Sequence, residues 1–139
     1  MLNSYNASNK QVWHSLHLMK YLAVLFALFI ILIIILADGG RLGVLRFVNG
    51  IPFGDKLGHF LLFGILTLLI DLALLRSRLD LNPNLIARRV ALILALFIGL
   101  EEFSQRYFSA RSFDLVDLTF SYFGVCFFSL LALKTVGRD

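Results

Sequence analysis

The chain is poor in the residues that build water-soluble catalytic centres. A single cysteine, Cys126, excludes an intramolecular disulfide and a cysteine-based metal site. It stands inside an apolar run and reads as a packing thiol. Charged residues are scarce at 16%, against about 25% in ordinary soluble domains. There is no glycine-rich phosphate loop, no His-Glu-x-x-His run, no serine or cysteine nucleophile arrangement, no internal repeat and no low-complexity linker. Basic residues outnumber acidic ones, with a net charge of +4, yet no basic and aromatic groove pattern exists outside the apolar runs. That excludes nucleic acid as the expected partner. The basic residues flank the apolar runs instead, as orientation and headgroup-contact charges do.

What the chain has in abundance is apolar sequence: 59% of its residues are hydrophobic, against about 45–50% in soluble domains. Four stretches carry most of it. The first, 21–37, is an unbroken run of seventeen uncharged residues. The second, 57–75, is interrupted by His59 and Asp71. The third, 90–108, is strongly apolar only as far as Leu100, and the fourth, 115–133, is interrupted by Asp117. A membrane crossing takes about 20 residues, and backbone groups in lipid must be satisfied within the segment, so each stretch predicts a helix. The first is too long for a signal-peptide core, and Ala37-Asp38-Gly39 is a poor cleavage site, so it reads as a retained helix. Glu101, Glu102, Gln105 and Arg106 make the third stretch marginal alone. It should insert with those groups at the interface or against partner helices.

The expected architecture is an all-α integral membrane bundle of four transmembrane helices. An interfacial segment spans 1–20, the bundle 21–133 and a short tail 134–139. Trp13 and Tyr21 suit the interface, and the histidines of the lead-in, His14 and His17, read as solvated. With the N-terminus inside, the inner segments hold Lys10, Lys20, Arg76, Arg78, Arg88, Arg89, Lys134 and Arg138, eight basic residues. The outer ones hold Arg41, Arg46, Lys56, Arg106 and Arg111, five. The positive-inside rule then places both termini in the cytoplasm of a cell-membrane protein.

That orientation collects the unusual polarity at the outer face. Asp55, Lys56 and His59 open helix two; Glu102 and Gln105 close helix three; Arg111 and Asp114 follow, and Asp117 opens helix four. Asp55 and His59 are four apart and share a helix face, as do Glu102, Gln105 and Arg106. Asp114, Asp117, Ser121 and Gly124 step by three or four down one side of helix four. Three polar stripes thus predict one pocket open to the outside. Asp71 lies apart, near the inner end of helix two, and is expected to pair with an arginine of the 76–89 region. The glycines of 38–56, with Pro52, make that loop a candidate cover for the pocket. Gly58, Gly64 and Gly99 offer places for close helix approach.

The run Asp55-Lys56-x-x-His59-Phe60, followed by Gly99-x-x-Glu102-x-x-Gln105, Arg111, Asp117 and Gly124, resembles the paired signatures of VanZ-like membrane proteins. The resemblance covers about 54–124, in order and with family-like spacing. Many relatives have Asn four residues after the aspartate, where this chain has Ser121, which lacks the amide's paired donor and acceptor. The resemblance implies four-helix topology, a place in the cell envelope and an association with susceptibility to the glycopeptide teicoplanin. It implies no reaction.

Several roles are open to the polar cluster. His59 and Glu102 are candidate acid/base groups. His59, Glu102 and Asp117 form a mixed nitrogen and oxygen set, without the fixed spacing of a metal motif, so no metal or other cofactor is expected. Asp55, Lys56, Gln105, Arg111, Asp114, Asp117 and Ser121 are candidate ligand-binding residues, the arginine offering a bidentate grip on phosphate or carboxylate. Expected partners are membrane lipids and a lipid-linked envelope precursor or glycopeptide. The competing expectation is a structural or interaction subunit, in which the charged network only locks the helices together. Transport is disfavoured: no broken helices flank a midplane site. Whether the protein is an enzyme, and its oligomeric state, are left open by the sequence.

Overall fold

A computed structural model describes residues 2–40, 43, 52–77, 81–108 and 112–137, with side chains from residue 16 onward. Four long helices follow in order: α1 (Leu2–Asp38), α2 (Gly54–Ser77), α3 (Pro83–Ser104) and α4 (Leu115–Val136). A short 3-10 turn, Gln105–Tyr107, prolongs α3. All four are long and apolar enough to cross a membrane, with mean hydropathy from 1.7 for α3 to 2.9 for α1 in their most apolar windows. At about 1.5 Å per residue, the 22 residues of α4 reach roughly 33 Å, the thickness of a hydrocarbon core. The described elements form the expected helical bundle.

The helix boundaries differ from the expected ones in a consistent direction. α1 runs on through residue 20, where the interfacial segment meets the apolar run, because neither proline nor glycine occurs within 2–38. α3 begins seven residues before Val90, at Pro83. The side chain of Asn82 accepts from the Asn84 amide at 3.0 Å, and Pro83 occupies the first turn, where a missing N–H costs nothing. Arg88 and Arg89 therefore ride on the exposed side of α3's first turns rather than in a loop.

α2 is the central helix. It packs along α4 most extensively, and also meets α1 and α3. The contact between Arg76 and Met19 places the start of the apolar part of α1 beside the end of α2, so these two run antiparallel. α1 buries Ala23, Ile30 and Ala37, a seven-residue repeat that gives it one narrow seam. One core cluster draws on all four helices through Ile30, Phe63, Leu66, Ile98 and Val125. A second, toward the other end, joins Leu75, Ile86, Val90 and Ala132. Outside these, leucine and phenylalanine face outward, including Leu25, Leu92, Phe97, Phe123 and Leu130. Such a belt suits lipid, not water.

The α2–α4 contact depends on small residues. α4 buries Ser121, Gly124, Val125, Ser129 and Ala132 against its neighbours. A methyl group on Gly124 would collide with the carbonyl oxygen of Phe60, and one on Gly64 with the Phe128 ring. Gly99 takes the Tyr122 hydroxyl, which donates to the Ala95 carbonyl at 3.1 Å. Gly58 faces open space, so it is not one of the close-approach positions expected of it. Close backbone approach brings the first turns of α2 and α4 together, and with them their polar side chains.

Candidate polar site at one end of the bundle

The starts of α2 and α4 and the end of α3 meet at one end of the bundle. Asp114 joins them. Its side chain caps α4 by accepting from the Val116 amide at 2.7 Å. Its own backbone N–H donates to Glu102 Oε1 at 2.9 Å, and its second carboxylate oxygen lies 3.7 Å from Lys56 Nζ. One residue thus ties α3 to α4 and α4 to α2.

Lys56 is the cationic centre. Its ammonium donates to Asp55 Oδ2 at 2.8 Å and to Asp117 Oδ1 at 3.1 Å. Among the described residues, two of its three N–H groups are hydrogen-bonded; Asp114 stands at ion-pair distance only. The other oxygen of Asp117 lies 3.9 Å from His59 Nε2, so this carboxylate bridges Lys56 and His59. His59 Nδ1 is 3.2 Å from the hydroxyl of Ser121. That hydroxyl already donates its proton to the Asp117 carbonyl at 3.0 Å, so it accepts from His59, whose Nδ1 carries hydrogen. The ring of Phe63 lies beneath the imidazole.

The α3 half is built around Glu102, which is 1% exposed. Besides the Asp114 amide, it accepts from the buried Gln105 side chain at 3.2 Å, and the same amide nitrogen reaches Glu101 at 3.0 Å. Arg106 does not share this face. The chain tightens into a 3-10 turn at Gln105, and the guanidinium stacks instead on Phe103 and Phe113, 4.8 and 4.5 Å from their ring centres. The expected helical stripe through Arg106 is broken there.

Eight of the nine expected site residues therefore converge: Asp55, Lys56, His59, Glu102, Gln105, Asp114, Asp117 and Ser121. Arg111 lies outside the described residues, as does most of the 38–56 loop expected to cover the site, including Gly50. Ser121 is fully buried and its proton is committed to the helix backbone, which gives it a positioning role rather than that of a nucleophile. Among the described residues, no three His, Cys, Asp or Glu side chains are grouped to hold a metal ion. Glu101 joins the network through Gln105, a contact hidden in the sequence because adjacent glutamates normally diverge around a helix.

Asp71 departs from expectation. It is fully buried, and neither carboxylate oxygen has a hydrogen-bond partner among the described residues. Arg76 turns to Met19, while Arg88 and Arg89 are exposed on α3. The anticipated arginine pair is absent among the described residues, because Asp71 faces α4 rather than the chain beyond Ser77.

No protein-family model, curated protein or solved structure matches the chain.

Proposed function

We propose that the chain is a VanZ-like cell-envelope membrane protein, with both termini cytoplasmic, whose polar end receives an anionic lipid-linked or other envelope-derived molecule at the outer leaflet and thereby bears on glycopeptide susceptibility. The observation that supports this reading is a gradient of exposure through the cluster. Side chains of Asp55 and Asp114 are 40% exposed, Lys56 and His59 17%, and Asp117 15%, while Ser121 at the base is fully buried. Polar groups thus lead from the surface into the bundle, as a headgroup site requires. An anionic oxygen would take the remaining N–H of Lys56 and a proton on His59 Nε2, displacing the exposed Asp55 carboxylate. If the bound molecule is also transformed, His59 is the group placed to move a proton. Glu102, already accepting two hydrogen bonds, positions α3 and α4 around it.

The test is native mass spectrometry of the purified protein in mild detergent, comparing wild type with His59→Gln and Lys56→Met. A defined lipid-linked anion on the wild type that is missing from folded His59→Gln supports the reading. A second reading, a structural or interaction subunit, is favoured by the burial of Glu102 and its bonds to Gln105 and the Asp114 amide. It predicts a ligand-free wild type and variants that lose thermal stability alone.

A further inference from the structure

Away from the polar end, α2 carries an ionisable side chain that no other feature explains. Asp71 lies six residues before the end of α2, roughly 9 Å along the helix from Ser77. It is fully buried, and among the described residues neither oxygen has a hydrogen-bond partner. On its own helix, Thr67 is also fully buried one turn earlier, but its hydroxyl donates to the Phe63 carbonyl at 2.7 Å. Across from it, α4 presents the hydroxyl of Ser129, beside the carboxyl but outside hydrogen-bond geometry.

Ser129 has a second neighbour. It lines a groove of about 280 Å³ between α3 and α4, bordered by Asn84, Ala87, Arg88, Cys126 and Leu133. The groove is mostly apolar and Leu130 also lines it, but Asn84 and Arg88 in the first two turns of α3 give it polar groups near that helix end, and Ser129 is the lining residue that neighbours Asp71. The charged groups toward this end of the bundle turn elsewhere among the described residues: Arg76 contacts Met19 of α1, Arg88 borders the groove on α3, and Lys20 of α1, Arg89 of α3 and Lys134 of α4 are exposed.

We propose that Asp71 is a proton-binding site inside the bundle, exchanging with water through the Ser129-lined groove between α3 and α4. A bare carboxylate without a partner is among the costliest groups to bury, and intramembrane acids serve proton or ion pathways by default. A calcium or magnesium ion would need about six oxygen ligands, whereas the side chains of Asp71 and Ser129 provide three. A proton needs one. The step is a simple transfer: hydronium in the groove gives its proton to an Asp71 oxygen and leaves as water, and the reverse releases it. The site is separate from the polar end, and its failure would leave the proposed headgroup site standing.

Cys126 makes the route testable, being the sole cysteine, exposed and on the groove wall. Infrared spectra of the full chain in lipid should contain a carboxylic-acid carbonyl band that is lost in Asp71→Asn. That band should shift on transfer to heavy water, and the shift should slow after a bulky maleimide is placed on Cys126. Should Asp71→Asn fail to fold, carbodiimide labelling of the wild type, located by peptide mass, should mark Asp71 and weaken on Cys126 alkylation. Absence of both the acid band and the label at Asp71 overturns the proton site. A shift and labelling indifferent to the maleimide overturn the groove as its route.

Discussion

A methyl group at position 124 would strike the carbonyl oxygen of Phe60, a backbone atom that cannot rotate aside. Gly124→Ala must therefore separate α2 from α4, and overpacking of this kind costs about 1–3 kcal/mol. The melting temperature in detergent should fall. Gly58→Ala is the matched control: it lies in α2, faces open space, and gains up to about 1 kcal/mol of helix preference. Its melting temperature should hold or rise. If both variants melt alike, close contact at Gly124 is not what holds these helices. The same proximity explains why Ser121 and His59 meet at 3.2 Å although 62 positions separate them. At Asp71 the residue scale gives the opposite expectation to an ion pair. Asp71→Asn removes no partner, so its thermal stability should stay close to wild type, whereas loss of a buried salt bridge costs about 3–5 kcal/mol.

Between α3 and α4, the connection is held by one acceptor. Glu102 receives the Asp114 amide and the Gln105 side chain, and Asp114 in turn caps α4. Glu102→Ala should leave that part-buried amide without its acceptor, costing at most about 1–3 kcal/mol, and amide exchange at Asp114 should accelerate. Glu102→Gln keeps an acceptor oxygen and should exchange more slowly than the alanine variant. Equal exchange in the two would show that the connection is held otherwise. How far such detail was legible in the sequence depends on the kind of signal. Spacing alone put Asp114, Asp117, Ser121 and Gly124 on one side of α4, and they do line its contact with α2, because a helix repeats every 3.6 residues whatever surrounds it. Helix starts were read from hydropathy, which marks where side chains leave water. The cap Asn82-Pro83 marks where hydrogen bonding begins, and the charges of Arg88 and Arg89 mask it in a hydropathy profile. Arg106 escaped because a local 3-10 turn changes the periodicity, and aromatic partners such as Phe113 come from beyond the helix. Asp71 escaped because its orientation toward Ser129 is set by α4, more than fifty residues away.

Four crossings return the chain to the side from which it started, and this ties the whole molecule to its weakest segment. α3 has the lowest mean hydropathy of the four, 1.7, and ends in Glu101, Glu102 and Gln105. Alone, such a helix inserts marginally, since a central charged residue costs about 2.5–3.5 kcal/mol and a large apolar one returns about 0.3–0.6. In the bundle its acidic end is occupied: Glu102 is bonded to α4's cap and to Gln105, and Ile86, Val90 and Ile98 are buried against α2 and α4. Packing therefore supplies what hydropathy lacks, and α3 crosses with its polar groups at the same end as Lys56 and Asp117. Single cysteines at Asn3 and Gly137, in a Cys126→Ser background, should then react with a membrane-impermeant maleimide from one and the same side. Under the orientation proposed from the excess of eight basic residues over five, that side is the cytoplasm, and intact cells should protect both positions while inverted vesicles expose both. Reaction at opposite sides would mean three crossings. It would remove α3 from the membrane and with it the convergence of Glu102 on Asp114. Reaction of both from outside would keep the bundle but turn the polar end, and the headgroup site proposed for it, toward the cytoplasm.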